Sequence, residues 1–233
     1  GYSDIALGTA RLLGFELLQN FKFPYFSRDI AEFWRRWHVS LSSWFRDYLY
    51  IPLGGSKGGM WMSIRNTFII FIVSGFWHGA NWTFLVWGAL NALYIMPQII
   101  SRTNRTNLGI VAQGKLLPSL REVFNITLTF SLTTFAWIFF RAENLTHAFT
   151  YIGELFSMSF FTSPELPLTA WVTLGLVVFF MTVEWLGRDS YYALQHLGNR
   201  WPRMVRWSFY AGILFLMGMF MQTEETPFIY FQF

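Results

Sequence analysis

The chain has 233 residues, of which 54% are hydrophobic, 21% aromatic and only 13% charged. An ordinary globular domain carries about 25% charged residues, and a wet surface built from so much Phe and Trp aggregates, so the composition excludes a soluble domain of the usual kind. The formal net charge of +4 is spread between apolar runs rather than along one face, which excludes nucleic acid as a partner and fits the positive-inside pattern of a membrane protein; the absence of cysteine excludes disulfides, zinc–thiolate sites and a cysteine acyl-enzyme.

In chain order, Ala31–Tyr50 comes first. Phe33, Trp34, Trp37, Leu41, Trp44, Phe45 and Tyr48 recur at helical spacing beside Arg35, Arg36 and Arg46, the composition of a basic amphipathic helix lying among lipid headgroups. Gly54-Gly55-Ser56-Lys57-Gly58 fits the spacing of a serine nucleophile elbow. That elbow requires a strand before it and an α/β sheet around it, so a flexible basic turn is the better reading. Thr67–Ile100 is apolar except around Ser74–Asn81. One helix through the whole apolar stretch would run on the order of 50 Å, too long for a hydrocarbon core of ~30 Å. Two pieces, Ile64–Trp77 and Trp82–Ile100, fit better. The first would rise only ~20 Å, which places the polar break at membrane depth. Glu122–Phe140, Leu166–Leu186 and Val205–Met221 read as further transmembrane helices, the second with Ser163 as N-cap and Pro164 at its first position. Leu145–Met158 is a weaker interfacial segment. No strand signal is present, and the fold class is all-α: a polytopic transmembrane helical bundle with interfacial or re-entrant pieces.

Flanking charges set the topology. Arg102, Arg105, Lys115 and Arg121 share one connection, and Arg188, Arg200, Arg203 and Arg206 another. Between them Arg141–Glu165 is acidic, and the tail holds Glu224 and Glu225. Two basic loops inside, with the acidic segment and the C-terminus outside, satisfy every span. The opening at Gly1 without methionine reads as an artificial start, and Phe231-Gln232-Phe233 as a true end.

His78 is the sharpest chemical candidate. It stands in Ser74-Gly75-Phe76-Trp77-His78-Gly79-Ala80-Asn81-Trp82, among small residues that let another group approach. An ionisable residue inside a membrane segment is costly and points to function, and neutral imidazole takes and returns a proton near neutral pH. A histidine bonded to a neighbouring helix gives the same pattern. His38, in Trp37-His38-Val39-Ser40, reads as a polar residue snorkelling from an interfacial helix. His147 and His196 receive no role. The four histidines have no metal-ligand spacing, so no metal site is expected.

Three stretches, Phe33-Trp34-Arg35-Arg36-Trp37-His38, Arg46-Asp47-Tyr48-Leu49-Tyr50-Ile51-Pro52-Leu53-Gly54-Gly55 and Ser74–Trp82, closely resemble the bacterial membrane-bound O-acyltransferase family. They resemble most its alginate O-acetyltransferase branch, and next the proteins that D-alanylate teichoic acids. Gly1-Tyr2-Ser3-Asp4-Ile5-Ala6 and Pro227–Phe233 match that branch too, so the resemblance runs through nearly the whole of residues 1–233 and implies the C-terminal catalytic half of such a domain.

The resemblance implies a helical bundle with a tunnel through the bilayer, where a cytoplasmic acyl donor meets an acceptor hydroxyl from outside. The family's invariant histidine falls on His78 and its second polar active-site residue on His38. His38, Asn81 and Trp77 are then the candidates for stabilising the carbonyl oxygen. No cofactor is bound. The donor is an acyl thioester, acetyl-CoA or a carrier-protein phosphopantetheine; the acceptor is a cell-surface polysaccharide such as alginate; and an extracytoplasmic acyltransferase is the expected partner at the inner membrane. Teichoic-acid D-alanylation and peptidoglycan O-acetylation are alternatives with the same chemistry. A non-catalytic subunit or transporter, with His78 in a proton relay, is the alternative of another class.

Overall fold

The computed structural model describes residues 2–157 and 166–219, and among these it shows helices and turns but no strand. The chain divides into two compact units at Thr182 and Val183. The first contains α1 (Tyr2–Leu12), a 3-10 turn at Pro24–Phe26, α2 (Ile30–Arg36), α3 (Val39–Phe45), a π-helical turn at Arg46–Tyr50, α4 (Met60–His78), α5 (Trp82–Ile100), α6 (Leu120–Arg141) and α7 (Leu145–Leu155). It also holds most of α8 (Leu168–Gly187), which continues into the second unit, where α9 (Arg203–Met219) follows. Helices α4, α5, α6 and α8 are long and apolar enough to cross a membrane. The expected cap of α8 at Ser163 and Pro164, the acidic residues Glu165, Glu224 and Glu225, the expected helix ends at Met158 and Met221, and the terminal Pro227–Phe233 lie outside the described residues.

An antiparallel hairpin of α4 and α5 organises the first unit. Gly75 lies against the backbone carbonyl of Phe84, and Gly88 against that of Phe71. Position 75 thus opposes 84 while 88 opposes 71, the register of antiparallel helices. Small residues at such a seam are how helices approach closely where water supplies no driving force. The break falls at Gly79–Asn81, as the apolar pattern predicts, but α4 begins at Met60 rather than Ile64. The extra turn is stable because its charge is satisfied: Arg65 donates to the Leu53 carbonyl at 3.2 Å and to Asn66 Oδ1 at 2.9 Å. Buried Asn66 in turn donates to the carbonyls of Leu53 and Gly55, closing the glycine-rich turn onto α4. With 19 residues the helix rises about 28 Å. The length argument for a first piece ending inside the bilayer therefore does not hold, and His78 is the last residue of a full-length span.

Residues 31–50 are not one helix. The chain breaks between α2 and α3 because Trp37 is extended and His38 left-handed, while backbone bonds from Lys22 N–H to Arg36 and from Val39 N–H to Asn20 hold the break to the preceding segment. Helix α2 is fixed by Glu32, which is 1% exposed. Its carboxylate accepts from Arg28 at 3.0 Å and from Arg36 at 2.9 Å. Both arginines also donate to the Gly109 carbonyl, and Arg35 to those of Asn104 and Asn107, so the α5–α6 connection is strapped across α2. A buried carboxylate carrying two guanidinium partners is tolerable only with this many bonds.

Ser119 and Glu122 form a reciprocal capping box that starts α6, and Asn144 caps α7 by accepting from the His147 N–H at 2.8 Å. Trp87, Ala136, Phe139 and Ala148 form the core where α5, α6 and α7 meet. In the second unit, Gly187 lies against the Ala193 backbone, Arg188 stacks 4.1 Å over the Trp185 ring, and His196 sits in the turn before α9.

Candidate functional site

The turn between α4 and α5 carries the site. His78 closes α4, and Gly79 follows because a Cβ there would stand 2.6 Å from the Phe84 ring. Asn81 starts α5 by accepting from the Thr83 N–H at 3.1 Å, and its amide donates to the Glu143 carbonyl at 2.8 Å. Its side chain thus ties the turn to the α6–α7 junction. The half-buried imidazole of His78 is ringed edge-on by Phe140 at 4.9 Å, Trp77 at 5.0 Å and Trp87 at 5.4 Å between ring centroids, with Phe84 at 6.3 Å. Edge-to-face contacts at these distances hold a ring's orientation without using its nitrogens.

His38 enters from the α2–α3 break. Its φ of 47° and ψ of 54° are left-handed, a conformation that costs a residue with a Cβ about 1–2 kcal/mol and recurs at functional sites. Phe21 lies 6.0 Å from its ring, and Ser40 Oγ stands 3.5 Å from Nδ1. Burial holds the His38 imidazole below its ordinary value of 6.5. An aromatic wall links the two histidines: Trp37 packs at 5.2 Å on Trp137, and Trp137 lies one turn before Phe140, which touches His78.

Of the residues singled out by sequence, His78, Trp77 and Asn81 share one turn and His38 approaches them from another element. Trp77 is 53% exposed. His147 sits in the first turn of α7, outside the ring cluster. Sequence reading missed Trp34, Thr83, Trp87 and Phe140. Trp87 is buried among His78, Phe140 and Trp34, the last at 5.8 Å. Among the described residues, the buried side-chain nitrogen and oxygen atoms with no hydrogen-bond partner are Trp34 Nε1, Thr83 Oγ1 and Trp87 Nε1. Each such group costs about 1–3 kcal/mol. Nothing in the sequence singles out Thr83 and Trp87, which stand one turn apart in an apolar helix. No three His, Asp or Glu side chains cluster to hold a metal among the described residues.

Comparison with known proteins bears directly on this turn. The family model for membrane-bound O-acyltransferases matches residues 1–140, which include α1 to α5 and nearly all of α6. Over its whole length the chain is 36% identical to a probable alginate O-acetylase AlgI of Pseudomonas putida, of which it covers 50%. It is also 38% identical across 64% of the chain to a peptidoglycan O-acetyltransferase of Helicobacter pylori, covering 27% of that protein. A teichoic acid D-alanyltransferase of Bacillus subtilis is 30% identical across 63% of the chain, with 38% of its own length covered. The chain therefore spans half or less of the length of these relatives.

Proposed function

This chain belongs to the membrane-bound O-acyltransferase family, and on that premise we propose that it carries the histidine centre for transfer of an acetyl group from a thioester to hydroxyls of an exported polysaccharide such as alginate. The observation that carries this reading is the imidazole of His78, held by four aromatic rings at the end of a membrane-spanning helix, with an aromatic wall running from Phe140 through Trp137 to Trp37, the neighbour of His38.

A sugar hydroxyl is a weak nucleophile. His78 removes its proton as the oxygen attacks the thioester carbonyl carbon, forming the new C–O bond. The carbonyl electrons move onto oxygen, then return as the C–S bond breaks. The sulfur leaves with the electron pair and takes the proton back from the imidazolium, so the products are an ester and a thiol. His38 is assigned a positioning and charge-stabilising role. Asn81 holds the turn, and Trp77 flanks the imidazole on its exposed side. The surrounding rings exclude water that would otherwise hydrolyse the thioester. The donor, acetyl-CoA or a carrier-bound phosphopantetheine, approaches from the cytoplasmic face of the inner membrane. The acceptor approaches from outside, where an extracytoplasmic acyltransferase completes the export-coupled modification.

The test is radiolabelled acetyl transfer in membranes containing the protein. His78→Ala is expected to lower the rate by about 10²–10⁴-fold, and His38→Ala by less. A parental rate in His78→Ala overturns the general-base assignment and favours a subunit or transporter. A greater loss at His38 than at His78 reverses the two roles. The similarity to a teichoic acid D-alanyltransferase supports a second reading, which labelled D-alanine on a carrier protein distinguishes from acetyl transfer.

A further inference from the structure

Resting on that reading, we propose that the Thr83 hydroxyl and the Trp87 indole N–H are the donor pair that receives the acyl donor's carbonyl oxygen as negative charge builds on it.

All three unpartnered buried side-chain atoms among the described residues fall in one place, on Thr83, Trp87 and the adjoining Trp34. Elsewhere the fully buried polar side chains of Ser27, Glu32, Asn66 and Asn91 are all bonded. A random defect would not select the neighbourhood of one imidazole. Thr83 is 0% and Trp87 3% exposed, so bulk water does not satisfy them. They stand four residues apart, on one face of α5. Long helical side chains lean toward the helix N-terminus, which carries the Trp87 indole toward the turn of Thr83. The same indole lies edge-on to His78 at 5.4 Å. The Trp87 indole thus stands beside the base, with the Thr83 hydroxyl one turn before it on the same face of α5. Asn81 gives one amide N–H to the Glu143 carbonyl and its oxygen to the Thr83 N–H, so its side chain is tied to the turn rather than aimed at the base. Two fixed donors in a dry site strengthen as charge develops and need no reorganisation.

The experiment compares Thr83→Val, Thr83→Ser, Trp87→Phe and His78→Ala in membranes containing the protein, with radiolabelled acetyl-CoA and unacetylated alginate. Val keeps the shape of Thr while removing the hydroxyl; Phe keeps an aromatic ring while removing the N–H, and the thermal midpoint of Trp87→Phe reads the packing it loses. Each is expected to lower kcat on the order of 10²-fold with KM for the donor nearly unchanged, while Ser restores the rate toward the parent. Removing an unpaired buried hydroxyl relieves the fold, so the thermal midpoint of Thr83→Val should equal or exceed the parent's even as the rate falls. Parental kcat in both Thr83→Val and Trp87→Phe, with His78→Ala inactive, overturns the donor pair and leaves the base assignment standing. Parental activity in His78→Ala overturns the underlying reading instead.

Discussion

His38 is held in a left-handed backbone conformation between two short helices, half-buried beside Phe21. Burial disfavours its charged form, so the folded protein takes up this proton only at a pH below 6.5, whereas the unfolded chain binds it near 6.5. Between those two values the unfolded state carries more protons, so stability is complete above about 6.5 and declines as pH falls below it. The thermal midpoint of the solubilised protein should therefore drop on acidification, and the drop should shrink in His38→Asn, whose amide tolerates the left-handed backbone and does not titrate. A pH dependence identical in both proteins removes His38 as its source. At this scale the sequence singles out His78, because a lone imidazole in an apolar run is costly to keep, and the structure sets it among four aromatic rings. The sequence is uninformative for Thr83 and Trp87. A threonine and a tryptophan in a hydrophobic helix look like filler until tertiary structure reveals that their polar atoms have no partner.

The hairpin of α4 and α5 depends on two glycines that press each helix onto the other's backbone. A methyl group at Gly88 would strike the Phe71 carbonyl, which belongs to a helix and cannot swing away as a side chain can. Gly88→Ala should accordingly cost about 1–3 kcal/mol, read as a lower thermal midpoint and reduced accumulation in membranes. An unchanged midpoint would show that the helices separate readily. Gly212, with open space around its Cβ position, is the matching control and should tolerate alanine. The break at Gly79–Asn81 was legible because its polar and small residues interrupt both flanking apolar runs. The start of α4 was not, since Arg65 resembles a helix boundary until its bonds to Leu53 and Asn66 are seen. The division of residues 31–50 into α2 and α3 was hidden for a related reason. Aromatic periodicity continues through Trp37 and His38, but backbone bonds to Asn20 and Lys22 override it. The strap over α2 uses carbonyls of residues 104–109, which leave no side-chain pattern to read.

At the scale of the molecule this is a multi-pass membrane protein, on the strength of its family and of four helices among the described residues that are long and apolar enough to cross a membrane. Its lack of cysteine makes single introduced thiols clean reporters of topology. With basic loops inside, Lys115→Cys and Arg200→Cys should react with an impermeant maleimide only after the membrane is opened. Glu143→Cys, at the α6–α7 junction, should react in intact cells; the opposite pattern inverts the bundle. The long apolar helices were readable because lipid imposes a simple rule on composition. The convergence of the α2–α3 break with the α4–α5 turn was not, because it depends on rings brought together from α5 and α6. That convergence also sets how the site can vary. Only Phe76 and Trp77 separate His78 from the glycine that clamps α4 to its partner, so the imidazole's compass bearing is set by helical phase. Losing one of those two residues would swing it ~100°, off Phe140 and toward the flank that Trp77 now takes. Whatever else drift changes in the two helices, the number of steps from clamp to base must stay constant.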